Sequence, residues 1–122
     1  MSLFELLIIA HLLGDYLFQT EYEALNKAQG SFFNRPLWQH VATYTACFVP
    51  LCIWVHLPWL SLVAIAGSHA FFDRRWPIIW WRKNIMGNSP ESITEQFWLT
   101  IMVDQIFHIL VLTVLVIFSR GI

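Results

Sequence analysis

The chain contains three aspartates, and each has a histidine four residues away, inside or at the end of an apolar segment. The pairs are His11/Asp15 in IIAHLLGDYLFQ, His69/Asp73 in AGSHAFFDRRW and Asp104/His108 in MVDQIFHILV. Four residues is about one helical turn, so each pair projects from one face of its helix. With five histidines in 122 residues, three matches in three arise by chance roughly once in two thousand. Ionisable side chains are costly in an apolar medium unless partnered. Any fold of this chain must therefore bring the six together.

Composition names the medium. The chain is 57% hydrophobic and 12% charged, where a soluble domain carries about 25% charged residues. This predicts one integral membrane domain, residues 1–122. A net charge of -1 with no basic run gives no case for nucleic acid. Seven Trp and ten Phe suit lipid contact and interfacial belts. Cys47 and Cys52 lack CxxC spacing and read as buried thiols. The N-terminus has no positive region and its apolar stretch holds His11 and Asp15, which argues against a cleavable signal peptide.

The hydropathy pattern predicts an all-α, four-span helical bundle, with spans at about 3–22, 36–55, 59–73 and 90–118. Pro36 suits a first helical turn, Ser89-Pro90 an N-terminus, and Ser92-x-x-Glu95 a capping box. Between the third and fourth spans, DRRWPIIWWRKN mixes Trp with Arg and Lys, as a segment lying among headgroups does. Lys27 and Arg35 follow span one; Arg74, Arg75, Arg82 and Lys83 follow span three; only Arg120 lies opposite. The positive-inside rule then makes both basic loops cytoplasmic and both termini external. In that orientation Asp15, His40, His69, Asp73, Asp104 and His108 all fall in the cytoplasmic half of the membrane. His56, in the VHLPW turn, falls on the other side and reads as a solvated loop residue.

Imidazole and carboxylate together suit Zn, Mn or Fe. His11, Asp15, His69, Asp73, Asp104 and His108 are the expected ligands, with His40 a further ligand or a general acid/base. Seven groups are too many for one tetrahedral ion, whereas two ions bridged by a carboxylate would use them. His40 and Asp104 are the catalytic candidates. Gln19 continues the His11/Asp15 stripe and is expected to hold a ligand in place. Gln105 is assigned the same role, although on the helix it points about 100° away from Asp104. Lys27, Arg74 and Arg75 are the candidates to meet an anionic headgroup. The bland alternative is a metal-free centre in which His–Asp hydrogen bonds join the helices. No GxSxG, P-loop or Rossmann glycine pattern occurs.

The segments HLLGDYLFQTEYEALNKAQG, SHAFFDRR and DQIFH, with a histidine opening span two, resemble an uncharacterised family across nearly the whole chain. That family comprises small bacterial and phage integral membrane proteins known only as a domain of unknown function. Its pattern is His-x3-Asp-x3-Gln, His-x3-Asp and Asp-Gln-x2-His. Where members often carry a Lys shortly after the third-span Asp, this chain reads Arg74, Arg75 and Trp76. In motif style the chain is also similar to bacterial inner-membrane metal-dependent hydrolases.

The expected function is a metal-dependent hydrolase of the bacterial inner membrane, acting on an amphiphilic, phosphorylated or lipid-linked substrate at the cytoplasmic leaflet. The alternatives are a proton or metal-ion transporter using the same centre, and a phage-type membrane interaction module. A conduit should continue polar to the far face, yet the outward halves, such as LFELLII and LVLTVLVIF, are apolar. Self-association stays open.

Overall fold

Helix starts are written into the sequence as caps. Ser2 and Glu5 form a capping box at the start of α1 (Leu3–Leu12), and Thr20 and Glu23 do the same for α2 (Glu21–Asn26). Asn34 caps α3 (Arg35–Ala46), with Pro36 in its first turn. The remaining helices are α4 (Val49–Val55), α5 (Trp59–Asp73), α6 (Trp76–Asn84), α7 (Pro90–Glu95) and α8 (Phe97–Gly121). A computed structural model describes residues 1–121, with side chains as far as Ser119; the side chain of Arg120, counted on the outer side, lies outside the described residues. Among the described residues the chain is all-α with no strand.

Three of the four expected segments are broken. The first stops at Leu17, because α1 ends in a π turn, Leu13–Leu17, before Thr20 caps a separate helix. The second divides at Cys47–Phe48, because Pro50 in the first turn of α4 has no N–H to continue the ladder from α3. The fourth divides at Gln96 (φ -108°, ψ 53°), which ends α7. The expected capping box at Ser92 does not form; Ser92 lies inside α7, and its N–H donates to the Ser89 cap. Only the third, α5, has the expected bounds. As a result α8 is the one described helix long and apolar enough to cross a membrane, 23 residues at mean hydropathy 2.4.

Helices α1, α3, α5 and α8 close a ring: α3 packs on α5, α5 on α8, α8 on α1, and the π turn on α3. One end of the ring is dry, filled by Leu7, Ala10, Phe48, Ile65, Leu112 and Val116, with Tyr44 at its boundary. Leu37, Val41 and Ala70 form a smaller cluster at the α3–α5 contact. The buried polar residues lie against these clusters. Arg82, fully buried, ties α6 to α7 and α8 through Asn88, the Gln96 carbonyl and Thr100.

Gly14 sets the closest approach in the ring. A Cβ there would meet Tyr44 Cδ2 at 2.7 Å and Tyr44 Cα at 3.0 Å, so the π turn touches the α3 backbone because residue 14 has no side chain. Ala normally stabilises a helical position over Gly by about 1 kcal/mol. At Gly14 the sign should reverse, with Gly14→Ala costing about 1–3 kcal/mol from overpacking. Gly67 is the control, since a Cβ there meets nothing within 4 Å. Thermal unfolding in detergent should show a lower Tm for Gly14→Ala and an unchanged or higher one for Gly67→Ala.

Candidate metal centre

Asp15 comes from the π turn, His40 from α3, and His69 and Asp73 from successive turns of α5. All four are buried, the two histidines completely. One ligand atom from each converges. His40 Nε2 lies 3.1 Å from Asp15 Oδ1 and 3.1 Å from Asp73 Oδ2. His69 Nε2 lies 3.3 Å from the first oxygen and 2.8 Å from the second. The two Nε2 atoms are 2.8 Å apart. Four ligands at about 2.0–2.1 Å from a tetrahedral ion stand about 3.3 Å from one another. Five edges of this cluster are at or a few tenths of an ångström inside that spacing.

Hydrogen bonding alone cannot satisfy these contacts. Each Nε2 holds at most one proton and the carboxylate oxygens hold none when ionised. If both nitrogens are protonated, the N–H groups oppose each other at 2.8 Å. If one is not, its lone pair faces two carboxylate oxygens. A cation at the centre removes the conflict and leaves each Nδ1 as the N–H. Among the described residues neither Nδ1 has a hydrogen-bond partner, but Glu23 Oε1 stands 3.9 Å from that of His40. A carboxylate behind a ligating imidazole is the usual means of orienting it.

A second group shares Asp73 and adds Asp104 and His108. His108 Nδ1 is 2.8 Å from the carbonyl oxygen of Asp104. A carbonyl only accepts, so Nδ1 carries the proton and Nε2 presents a lone pair. That Nε2 is buried, has no hydrogen-bond partner among the described residues, and lies 3.8 Å from Asp73 Oδ1. Asp104 Oδ1 is likewise unpartnered. Asp73 therefore turns Oδ2 to one group and Oδ1 to the other. Among the described residues four carboxylates (Asp15, Glu23, Asp73, Asp104) are buried against two cations, Lys27 and Arg82, a deficit that divalent cations would offset. These buried His/Asp groups could hold a metal ion.

The chain's family is one without an assigned activity: the model for DUF3307, described as a protein of unknown function, matches residues 3–121. The chain belongs to DUF3307. No curated protein and no solved structure matches it significantly. What a DUF3307 centre of this kind does must be read from its residues.

Several expected residues fall elsewhere. His11 stands outside both ligand groups because its ring nitrogens are engaged: Tyr44 OH is 2.6 Å from Nδ1, and Gln105 Oε1 is 2.7 Å from Nε2. Gln105 Nε2 in turn donates to Asp15 Oδ2 at 3.0 Å. The amide fixes the polarity. Its oxygen can only accept, so His11 donates from Nε2 and accepts from Tyr44 at Nδ1. His11 thus holds Asp15 through Gln105, which points into the ring toward α1. Gln19 donates to the Asp15 carbonyl and accepts from Lys27. Lys27 does not face a headgroup; it is buried, with Nζ 3.1 Å from Asp73 Oδ2. Arg74 is spent on the carbonyls of Lys27, Gln29, Gly30 and Ser31. Arg75 lies over the Phe97 ring, 4.8 Å from its centroid.

Sequence reasoning missed Tyr44, which stacks on His69 with ring centroids 3.6 Å apart, and Glu23, which also accepts from Gln39 at 2.6 Å. Both carried a signal: Tyr44 is four residues from His40, and Glu23 completes a capping box. Removal of an orienting partner typically costs 10–100-fold in metal affinity. Gln105→Leu should therefore weaken Zn or Mn binding by about 10–100-fold at unchanged stoichiometry. Equilibrium dialysis with elemental analysis measures both quantities.

Proposed function

We propose that this chain is a four-span protein of the bacterial inner membrane whose His/Asp centre binds two divalent ions, Zn, Mn or Fe, and hydrolyses an amphiphilic phosphorylated or lipid-linked substrate at the cytoplasmic leaflet. The observation that carries the reading is the Asp73 carboxylate, with one oxygen facing each ligand group. Carboxylate-bridged pairs of ions inside helix bundles activate water and clamp attacking and leaving oxygens. The Asp15/His40/His69/Asp73 set supplies four ligands, a closed shell. The Asp73/Asp104/His108 set supplies three, which leaves coordination for water and substrate. Asp104, 9% exposed, is the least buried ligand.

The membrane reading rests on an inside-out distribution of polarity. Among the described residues, thirty-two large hydrophobics are exposed against thirteen buried hydrophobic residues, while eleven polar or charged residues are buried. Only 22% of the apolar α8 window is buried, which does not suit the core helix of a soluble domain. Breaks such as the π turn are tolerable at membrane depth where they line the protein interior. On α6, exposed Trp76, Trp80 and Trp81 with Lys83 suit the headgroup layer. The dry cluster over the centre favours an enzyme open at one face over a conduit.

Elemental analysis of detergent-purified protein tests the centre. Wild type should bind about two equivalents of Mn or Zn, Asp104→Asn about one, and Asp73→Asn none tightly. Hydrolysis of a short-chain phosphatidic acid should require the loaded protein and fall about 10²–10³-fold in Asp104→Asn. Wild type at background metal content would overturn the reading.

A further inference from the structure

A groove of about 270 Å³ runs between α5 and α8, lined by Ala64, Phe72, Phe107, Val111, Val114 and Leu115 among others, all apolar. It adjoins the second ligand group through Phe72. Phe72 packs its ring against His108 at 5.8 Å between centroids and stacks on Phe107 at 5.3 Å. On α8 the groove residues Phe107, Leu110, Val111, Val114 and Leu115 cover the face next to that of Asp104 and His108, and Val111 and Leu115 continue the ligand stripe itself. From Asp104 to Leu115 the axis rises about 17 Å, close to half of a hydrocarbon core about 30 Å thick. At the other end of the stripe Arg75 lies over Phe97, in the first turn of α8.

We propose that this groove holds one acyl chain of the lipid on which the centre acts, with the chain directed toward the bilayer midplane and an anionic head at Asp73, Asp104 and His108. The inference rests on the two-ion reading and narrows its substrate to a lipid whose phosphate is attached directly beyond a single-leaflet chain. Of Lys27, Arg74 and Arg75, Arg75 is the one whose side chain has no carbonyl or carboxylate partner among the described residues, since Arg74 is bound to loop carbonyls and Lys27 to Asp73. A water-soluble phosphoester would leave the groove unused.

The test is photolabelling of the metal-loaded protein in phosphatidylcholine vesicles. The probe is a phosphatidic acid bearing a diazirine at the end of one acyl chain; a phosphatidylcholine with the same chain is the control for bulk lipid. Peptide mapping should place phosphatidic acid label on the 107–115 and 64–72 segments, above the level on Ile53 and Trp54 of α4, which are exposed outside the groove. Ala64→Trp should fill the groove and reduce that label about tenfold without changing metal content. Asp73→Asn should reduce it for phosphatidic acid but not for phosphatidylcholine. Equal labelling by both lipids, or label insensitive to Ala64→Trp, would overturn the proposal. Selective groove label on a protein that carries no metal would instead overturn the two-ion reading while leaving the lipid site standing.

Discussion

The Asp73 carboxylate is the interaction on which the arrangement depends. It is almost completely buried, and a carboxylate in that position is tolerable only when its oxygens are satisfied. No neighbour in sequence can do this alone. Oδ2 takes His69 from its own helix, His40 from α3 and Lys27 from the loop after α2, while Oδ1 faces His108 from α8. Satisfying one charge thus draws three other segments to a common point. Buried ion pairs are poor sources of net stability, but breaking one by removing a partner is expensive. The polar centre therefore specifies how the helices assemble, and the apolar contacts around it supply most of the free energy.

The support around Asp15 follows the same logic at lower charge. The Tyr44–His11–Gln105 chain is directional, each member donating to the next acceptor until it ends on Asp15 Oδ2. Asp15 Oδ1 is left for the centre. The π turn that presents Asp15 needs Gly14, because the α3 backbone occupies the space where a side chain would stand. π turns recur at functional sites for this kind of reason: one residue is re-aimed at the cost of local ladder geometry.

The His–Asp pairs were legible because both members lie one turn apart on a single helix, where spacing alone fixes relative direction. That spacing and the apolar runs also made the all-α class readable. What eluded the sequence was direction between helices. The spacing gives Gln105 an orienting role without a direction, since it points about 100° from Asp104; α8 packs on both α5 and α1, and those neighbours lie on different sides. Asp104 and His108 turn to Asp73 on α5, and Gln105 turns to His11 on α1. Lys27 reaches Asp73 across 46 residues, a pairing no local pattern encodes; the positive-inside rule counts such a lysine as a loop charge. The breaks at Pro50 and Gln96 were written in the chain but were read through, because a hydropathy window averages over a single residue.

The two ends of the ring complete the argument about access. At one end of the ring, Phe48, Ile65, Leu112 and Val116 close over Tyr44 with no polar side chain among them, an apolar layer over the centre. Toward the other end lie Glu23, which accepts from exposed Gln39, half-buried Gln19, Lys27, whose carbonyl accepts from Asn34, and Asp104, 9% exposed. Under the proposed function, ions and substrate would enter such a centre, closed above and polar below, through one face. Beside it on α8 lies the apolar groove from Phe107 to Leu115, the place proposed for hydrocarbon. A site with that combination of neighbours is suited to a molecule that is itself polar at one end and apolar at the other.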